Sequence, residues 1–203
     1  MADKLDMKKA LRDLYAPGMD PIGVQVPALG AFAIDGNGDP NGNPRYQACV
    51  EALFSAAYTL KFFAKKQLGR DWTVMPLEGE WWSRDMDSFT AGRRDAWSWT
   101  LYIVQPDFIG SELAAEAVEL ARKKKPLPGL ADLRFERSAA HEAMTILHRG
   151  PYAAEGPTVS RLHGSIAERG WKLSGRHREI YLNDPRTTAP GSMKTVIRQP
   201  FSR

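Results

Sequence analysis

Cysteine is almost missing from this chain. Cys49 stands alone among 203 residues, which excludes an internal disulfide framework and fits a reducing cytoplasm. No apolar run approaches the roughly 18–20 residues that a membrane span needs. The opening residues, M-A-D-K-L-D, lack the apolar stretch of a secretory signal. There is no P-loop, no dinucleotide fingerprint and no G-x-S-x-G elbow. The histidines at 141, 148, 163 and 177 show no metal-ligand spacing. Helix-turn-helix, zinc-finger and basic-zipper patterns are missing too. These absences predict a cytoplasmic chain with no cofactor, no metal, no direct nucleic-acid contact and no membrane contact.

Charge does not overturn that expectation. The net charge is +4, but the positive residues are scattered. The densest run, residues 122–125, falls at the end of a predicted helix, where cations complement the helix dipole.

What is present is ordinary in bulk. Hydrophobic residues make up 43% and charged residues 26%, as in a soluble globular protein. Residues 4–14 read as a short amphipathic helix marked by Leu5, Leu11 and Leu14 and ended by Pro17. Residues 24–34 read as a strand. Asn43 and Pro44 open a long helix that Gly69 closes, with Val50, Leu53, Phe54, Ala57, Leu60 and Ala64 as its core-facing stripe. Strands follow over 72–82 and 96–105, joined by a polar stretch over 83–95. Ser111 caps a helix reaching Lys125. Residues 126–129 read as the best internal boundary. Strands are predicted near 133–139 and 142–148. Pro157 opens a helix to Gly170, with Val159, Leu162 and Ile166 buried. Strands over 178–182 and 193–199 complete the chain.

The fold class expected is α+β. Two pseudo-symmetric strand-helix-strand-strand repeats, about 22–106 and about 140–200, would form antiparallel sheet with helices on one side and a ligand cleft between repeats. A bridging helix over about 110–126 joins them within one domain of 203 residues. Each repeat carries a glutamate nine residues after its helix-ending glycine: Gly69 to Glu78, and Gly170 to Glu179. Residues two apart on a strand share a face. Glu78, Glu80 and Trp82 therefore point one way, as do Glu179 and Tyr181.

Carboxylates in an aromatic-lined pocket gain proton affinity and act as acid, base or cation partner. The competing reading makes them solvated strand residues, with Glu179 ion-paired among Arg176, His177 and Arg178. Trp97 and Trp99 share a face, while the adjacent Trp81 and Trp82 face opposite ways. An aromatic stripe is more often core than ligand contact, so one of the pair is expected under the helix and Trp82 beside the carboxylates. The run D-G-N-G-D at 35–39 imitates a calcium loop. Pro40 and Tyr46 replace its required glycine and bidentate Glu, and it reads as a turn. Cys49, inside a helix, reads as a buried thiol.

Longer motifs add a resemblance. Residues 74–82, V-M-P-L-E-G-E-W-W, resemble the V-M-P-L-E-G-L-W-W run of GyrI-like proteins. Residues 179–190, E-I-Y-L-N-D-P-R-T-T-A-P, and 194–200, K-T-V-I-R-Q-P, are similar to that family's ending. I-D-G-N-G-D-P-N at 34–41 and T-L-K-F at 59–62 match as well. The resemblance spans about residues 14–200. It implies two such repeats with a ligand cleft between them, in which a buried Glu meets lipophilic cations; Glu179 matches that position. It implies a lipophilic aromatic small molecule as partner. Standalone members of this subgroup are similar to hydrolases of cyclopropanoid genotoxins. The expected roles are Glu179 as base, Tyr181 as its hydrogen-bonding partner and Glu78 as a second polarising carboxylate. Trp82, Glu80, Trp99, Tyr152 and Trp97 would contact the ligand. Glu80 stands where the family usually has Leu, making the site more polar. A pure binding protein, or a protein-binding inhibitor of the DNA gyrase type, are the other functions open at this point.

Overall fold

The computed structural model describes residues 4–84 and 93–203. The expected N-terminal helix is broken into two short turns, α1 (Met7–Ala10) and α2 (Arg12–Tyr15). Leu5 is drawn out of it by bridging to Trp72. Residues 24–34 are not one strand. Pro27 cannot donate to a ladder, and the run divides into β1 (Ile22–Val26) and β2 (Gly30–Asn37).

The long helix, α3 (Pro44–Leu68), follows the local signals closely. The Asn43 side chain accepts from the backbone amides of Arg45 and Tyr46, and Gly69 ends the helix at φ 65°. That left-handed conformation favours glycine. The buried stripe runs through Ala52, Leu53, Ala56, Ala57, Leu60 and Ala64. Val50 and Phe54 are only half-buried. Phe54 instead begins an outward row with Tyr58 and Phe62, at ring separations of 6.4 and 6.5 Å. Cys49 is buried and free, and burial raises its thiol pKa.

The expected strand over 72–82 shortens to β3 (Glu78–Trp82), and β4 covers Ser98–Gln105. Part of the polar stretch between them, 85–92, lies outside the described residues. Gly110, not Ser111, caps α4 (Ser111–Lys124). Then come β5 (Arg134–Arg137), β6 (His141–Arg149), α5 (Gly156–Ala167), β7 (Lys172–Leu173), β8 (His177–Tyr181) and β9 (Lys194–Ser202).

The architecture is α+β, and the pairings β1–β6, β2–β4, β2–β5, β3–β4, β6–β9, β7–β9 and β8–β9 are antiparallel. The chain divides into two compact units. One comprises Leu29–Ser138 with the N-terminal residues up to Met7. In it the order is β3-β4-β2-β5, and α3 packs on β2 and β4. The other comprises Lys8–Ala28 and Ala139–Arg203. Its order is β1-β6-β9-β8, with β7 also on β9.

Two boundary expectations change. The division falls at Ser138/Ala139 rather than in 126–129. Residues 128–131 form a 3-10 turn against α3, with a Cβ at Gly129 coming within 2.8 Å of the Ala48 carbonyl oxygen. The helix expected to bridge the repeats, α4, packs on α3 inside the first unit. Within the units, β2-α3-β3-β4 and β6-α5-β8-β9 each realise the strand-helix-strand-strand order. In the second unit Met144, Ile146, Leu162, Ile166 and Ile197 form the core, with Trp171 stacked on Phe201 at 4.3 Å.

Candidate functional site

In the first unit, register decides what each side chain meets. Glu78 pairs with Tyr102, Glu80 with Thr100 and Trp82 with Ser98. Glu78, Glu80 and Trp82 thus lie on one face. Glu78 is fully buried at 0% exposure. The Tyr102 hydroxyl donates to Glu80 at 3.1 Å. On the same face Thr100 donates to Asp35 at 2.7 Å, and Arg134 binds Asp35 and Glu136 at 2.9 and 2.6 Å. Asp35 is therefore committed to strand pairing partners, in keeping with the turn reading of 35–39.

Trp99 does not join that face. It pairs with Trp81, one residue out of phase with Glu80, and a single step along a strand reverses the side. Tyr46 of α3 stacks on Trp81 at 6.3 Å and meets Trp99 edge-on at 5.2 Å. Trp97 stands edge-on to Trp81 at 5.9 Å. Trp99 is 0% exposed, and its indole N–H donates to the Gly38 carbonyl at 3.3 Å. Of these two expected ligand contacts, Trp99 is thus sealed in the aromatic packing beneath α3, and Trp97, half-buried, packs on Trp81.

In the second unit, β8 and β9 place Glu179 opposite Ile197 and Tyr181 opposite Thr195, while β6 places His148 on the far side of Thr195. These residues face α5. His177 is in edge contact with His163 of α5 at 6.4 Å, and His148 Nδ1 lies 2.9 Å from the Thr158 hydroxyl. Tyr181 donates to Glu179 Oε2 at 2.9 Å, and His177 Nε2 lies 3.5 Å from Glu179 Oε1. Tyr152, in the turn before α5, meets the Tyr181 ring edge-on at 5.4 Å. Tyr152 keeps 39% of its surface exposed.

Glu155, directly before α5, is the residue that the sequence reading missed. It is 6% exposed, and its Oε1 has no hydrogen-bond partner among the described residues. Burial first, then the negative charge of Glu179, pushes its pKa up to about 8, with the Thr195 hydroxyl opposing the rise. Burial, Glu155, Glu179 and Asp184 push Tyr152 up to about 12. An acidic residue before a helix reads from sequence as a dipole or cap partner. Only packing shows that Glu155 caps nothing and turns inward.

The nine-residue offset does not give equivalent faces. Glu78 lies on the strand face turned away from Tyr46 of α3, whereas Glu179 lies on the face turned toward α5. The connections differ: residues 73–77 are irregular after the Leu5–Trp72 bridge, while the second unit inserts β7 and Gly175 before β8. Among the described residues no group of three or more His, Cys, Asp or Glu is arranged to hold a metal ion, and no helix is long and apolar enough to cross a membrane.

A buried acid beside a second carboxylate, bordered by two tyrosines and two imidazoles, is equipped to bind a polar atom of a ligand and to move a proton. Residues 19–201 match the GyrI-like small molecule binding domain, and the chain belongs to that family. It is similar to an uncharacterized conserved protein from Listeria innocua, at 38% identity and TM-score 0.89 over 98% of this chain and 100% of that one. It is equally similar to a Listeria innocua hydrolase, at 37% identity and TM-score 0.88 over the same shares. The C-terminal domain of EcmrR shares the fold at 11% identity, TM-score 0.61, with 91% and 98% covered. No curated protein matches the chain.

Proposed function

We propose that this GyrI-like protein binds lipophilic aromatic compounds and hydrolyses cyclopropanoid electrophiles by carboxylate-assisted addition of water. The observation that carries this reading is the Glu155–Glu179 pair, held beside Tyr152 and Tyr181 on the face of the second unit that meets α5. The family's small-molecule character and the likeness to a Listeria innocua hydrolase support it.

Glu179 acts as the base. Tyr181 holds one of its oxygens, fixing the carboxylate so that the other orients water toward a strained carbon. A positioned base of this kind contributes about 10²–10⁴-fold. Tyr152 supplies aromatic surface to the ligand, and a ligand contact by Trp82 rests on the family motif alone. Glu78 keeps the role of a second polarising carboxylate, resting on the family motif alone, and Glu80 adds polarity beside it. A cytoplasmic location is part of this reading, and the single cysteine fits it.

The test is incubation with a duocarmycin-type cyclopropane, followed by mass spectrometry, with Glu179→Gln in parallel. The expected result is gain of one water by the compound, slowed about 10²-fold or more in the variant. Intact compound with saturable tryptophan quenching would replace the hydrolase by a non-catalytic binder, the reading that the family's small-molecule description favours next. Neither signal would turn attention to a protein partner of the gyrase type.

A further inference from the structure

We propose that Glu155 is the acid partner of Glu179 and gives its proton to the ligand oxygen that gains negative charge as the strained ring opens. This rests on the hydrolase reading above and adds a second catalytic residue to it.

The geometry separates the two carboxyl groups by task. Glu179 has one oxygen engaged by the Tyr181 hydroxyl and the other 3.5 Å from His177 Nε2. Its surroundings supply donors, which suit a carboxylate. Glu155 has the opposite setting. It is nearly sealed from solvent, faces a like charge, and has an oxygen without a hydrogen-bond donor among the described residues. Those surroundings suit a neutral carboxylic acid, since a buried unpartnered charge is costly. A sealed carboxyl beside one that already accepts a hydrogen bond from a tyrosine can divide the work of acid and base.

Glu155 feels Glu179 and the Thr195 hydroxyl directly, and the groups around that pair come from several elements. β8 contributes His177, Glu179 and Tyr181, and β9 contributes Thr195. β6 contributes His148, whose Nε2 also has no partner among the described residues. Tyr152 lies in the preceding turn, and α5 contributes Thr158 and His163. Asp184 adds negative charge on the Tyr152 side. Burial and the negative charge of Glu179 both favour the protonated form of Glu155.

The step balances as follows. The water oxygen bonds to the cyclopropane methylene carbon as Glu179 takes the water proton. The strained carbon–carbon bond breaks, and its electron pair passes through the conjugated ring to the carbonyl oxygen. That oxygen takes the proton of Glu155 and becomes a phenol. Glu155 is left ionised and Glu179 protonated, and transfer of one proton from Glu179 to Glu155 restores the resting pair. No other reactant is needed.

The test combines kinetics with infrared spectroscopy. Wild-type turnover of a duocarmycin-type cyclopropane is expected to fall as pH rises through about 8, where Glu155 loses its proton. Glu155→Gln is expected to slow kcat about 10²-fold, leave ligand affinity within a few-fold, and remove that alkaline limb. Glu155→Asp, which retains an acid, should retain a limb. In the ligand-free protein, the wild-type-minus-Glu155→Gln infrared difference should show a carboxylic acid band at pH 7 that vanishes above pH 8. In a Glu179→Gln background it should vanish at lower pH, because the neighbouring charge is gone. Wild-type kcat with an unchanged limb in Glu155→Gln overturns the inference while leaving the hydrolase standing. A wild type that never adds water sinks the hydrolase reading and the catalytic role together. An acid band missing at pH 7 overturns the inference whatever the kinetics show.

Discussion

At the scale of single residues, one step along a strand separates core from face. Trp99 and Thr100 are neighbours in β4, yet the indole packs beneath α3 while the hydroxyl binds Asp35. The indole has room because residue 36, its cross-strand partner, is glycine. A Cβ at Gly36 would lie 2.0 Å from the Trp99 ring, a distance that forces the ring or strand to move. Gly36→Ala should destabilise the protein by about 1–3 kcal/mol, read as a lowered midpoint in urea with an unchanged slope. An unaffected midpoint would show that β2 and Trp99 adjust without cost. Glu155 makes the contrasting case. Its type and position were visible in the sequence, but its inward turn was not, because nothing local distinguishes it from a solvated residue at a helix start.

Among elements, local chemistry set helix ends and left strand partnership open. α3 begins where Asn43 can accept from two amides and Pro44 needs to donate none, and it ends at a left-handed glycine. Asn43→Ala should cost about 1 kcal/mol, seen as earlier fraying of the first α3 amides in hydrogen exchange. In the second unit, Leu162 holds α5 to β6 and β9 through Met144, Ile146 and Ile197. Leu162→Ala should cost about 2–5 kcal/mol by lost burial plus cavity, measured by chemical denaturation. A loss below 1 kcal/mol would mean that the helix settles into the space.

For the whole molecule, titration predicts a stability profile with two sides. Hydrogen bonds from Lys61 and Lys65 hold the Asp71 pKa below its ordinary 3.8, and Arg186 lowers Asp184 to about 2. Groups with lowered folded-state values stabilise above their unfolded values and lose that contribution as pH falls through the folded ones. Stability should therefore drop as pH falls below about 4. Glu155 works in reverse: raised from 4.5 to about 8, it favours the folded state at low pH, and that contribution is lost as pH rises toward 8. Burial and His177 lower His163 from 6.5, which favours the folded state as pH rises and opposes Glu155 on the acid side of 6.5. The Glu155 effect should be clearest between pH 6.5 and 8. Denaturation midpoints should decline there in wild type and hold level in Glu155→Gln. Equal declines in both would remove Glu155 as the cause.

The sequence by itself determined the bounds of α3, the alternation of Glu78, Glu80 and Trp82, the common face of Glu179 and Tyr181, and the family, whose motifs are contiguous strings. All of these depend on neighbours within a few residues, where capping, glycine conformation and strand period act. The tertiary structure decided that 24–26 leaves the run it was read with to pair with β6, that α4 packs in the first unit, that Trp99 is core, and that two glutamates at one offset take different faces relative to their own helices. It also decided that Glu155 turns inward, where it feels the charge of Glu179. Those outcomes depend on which distant strands pair and at what register, and a shift of one residue there reverses a side chain without altering any local signal.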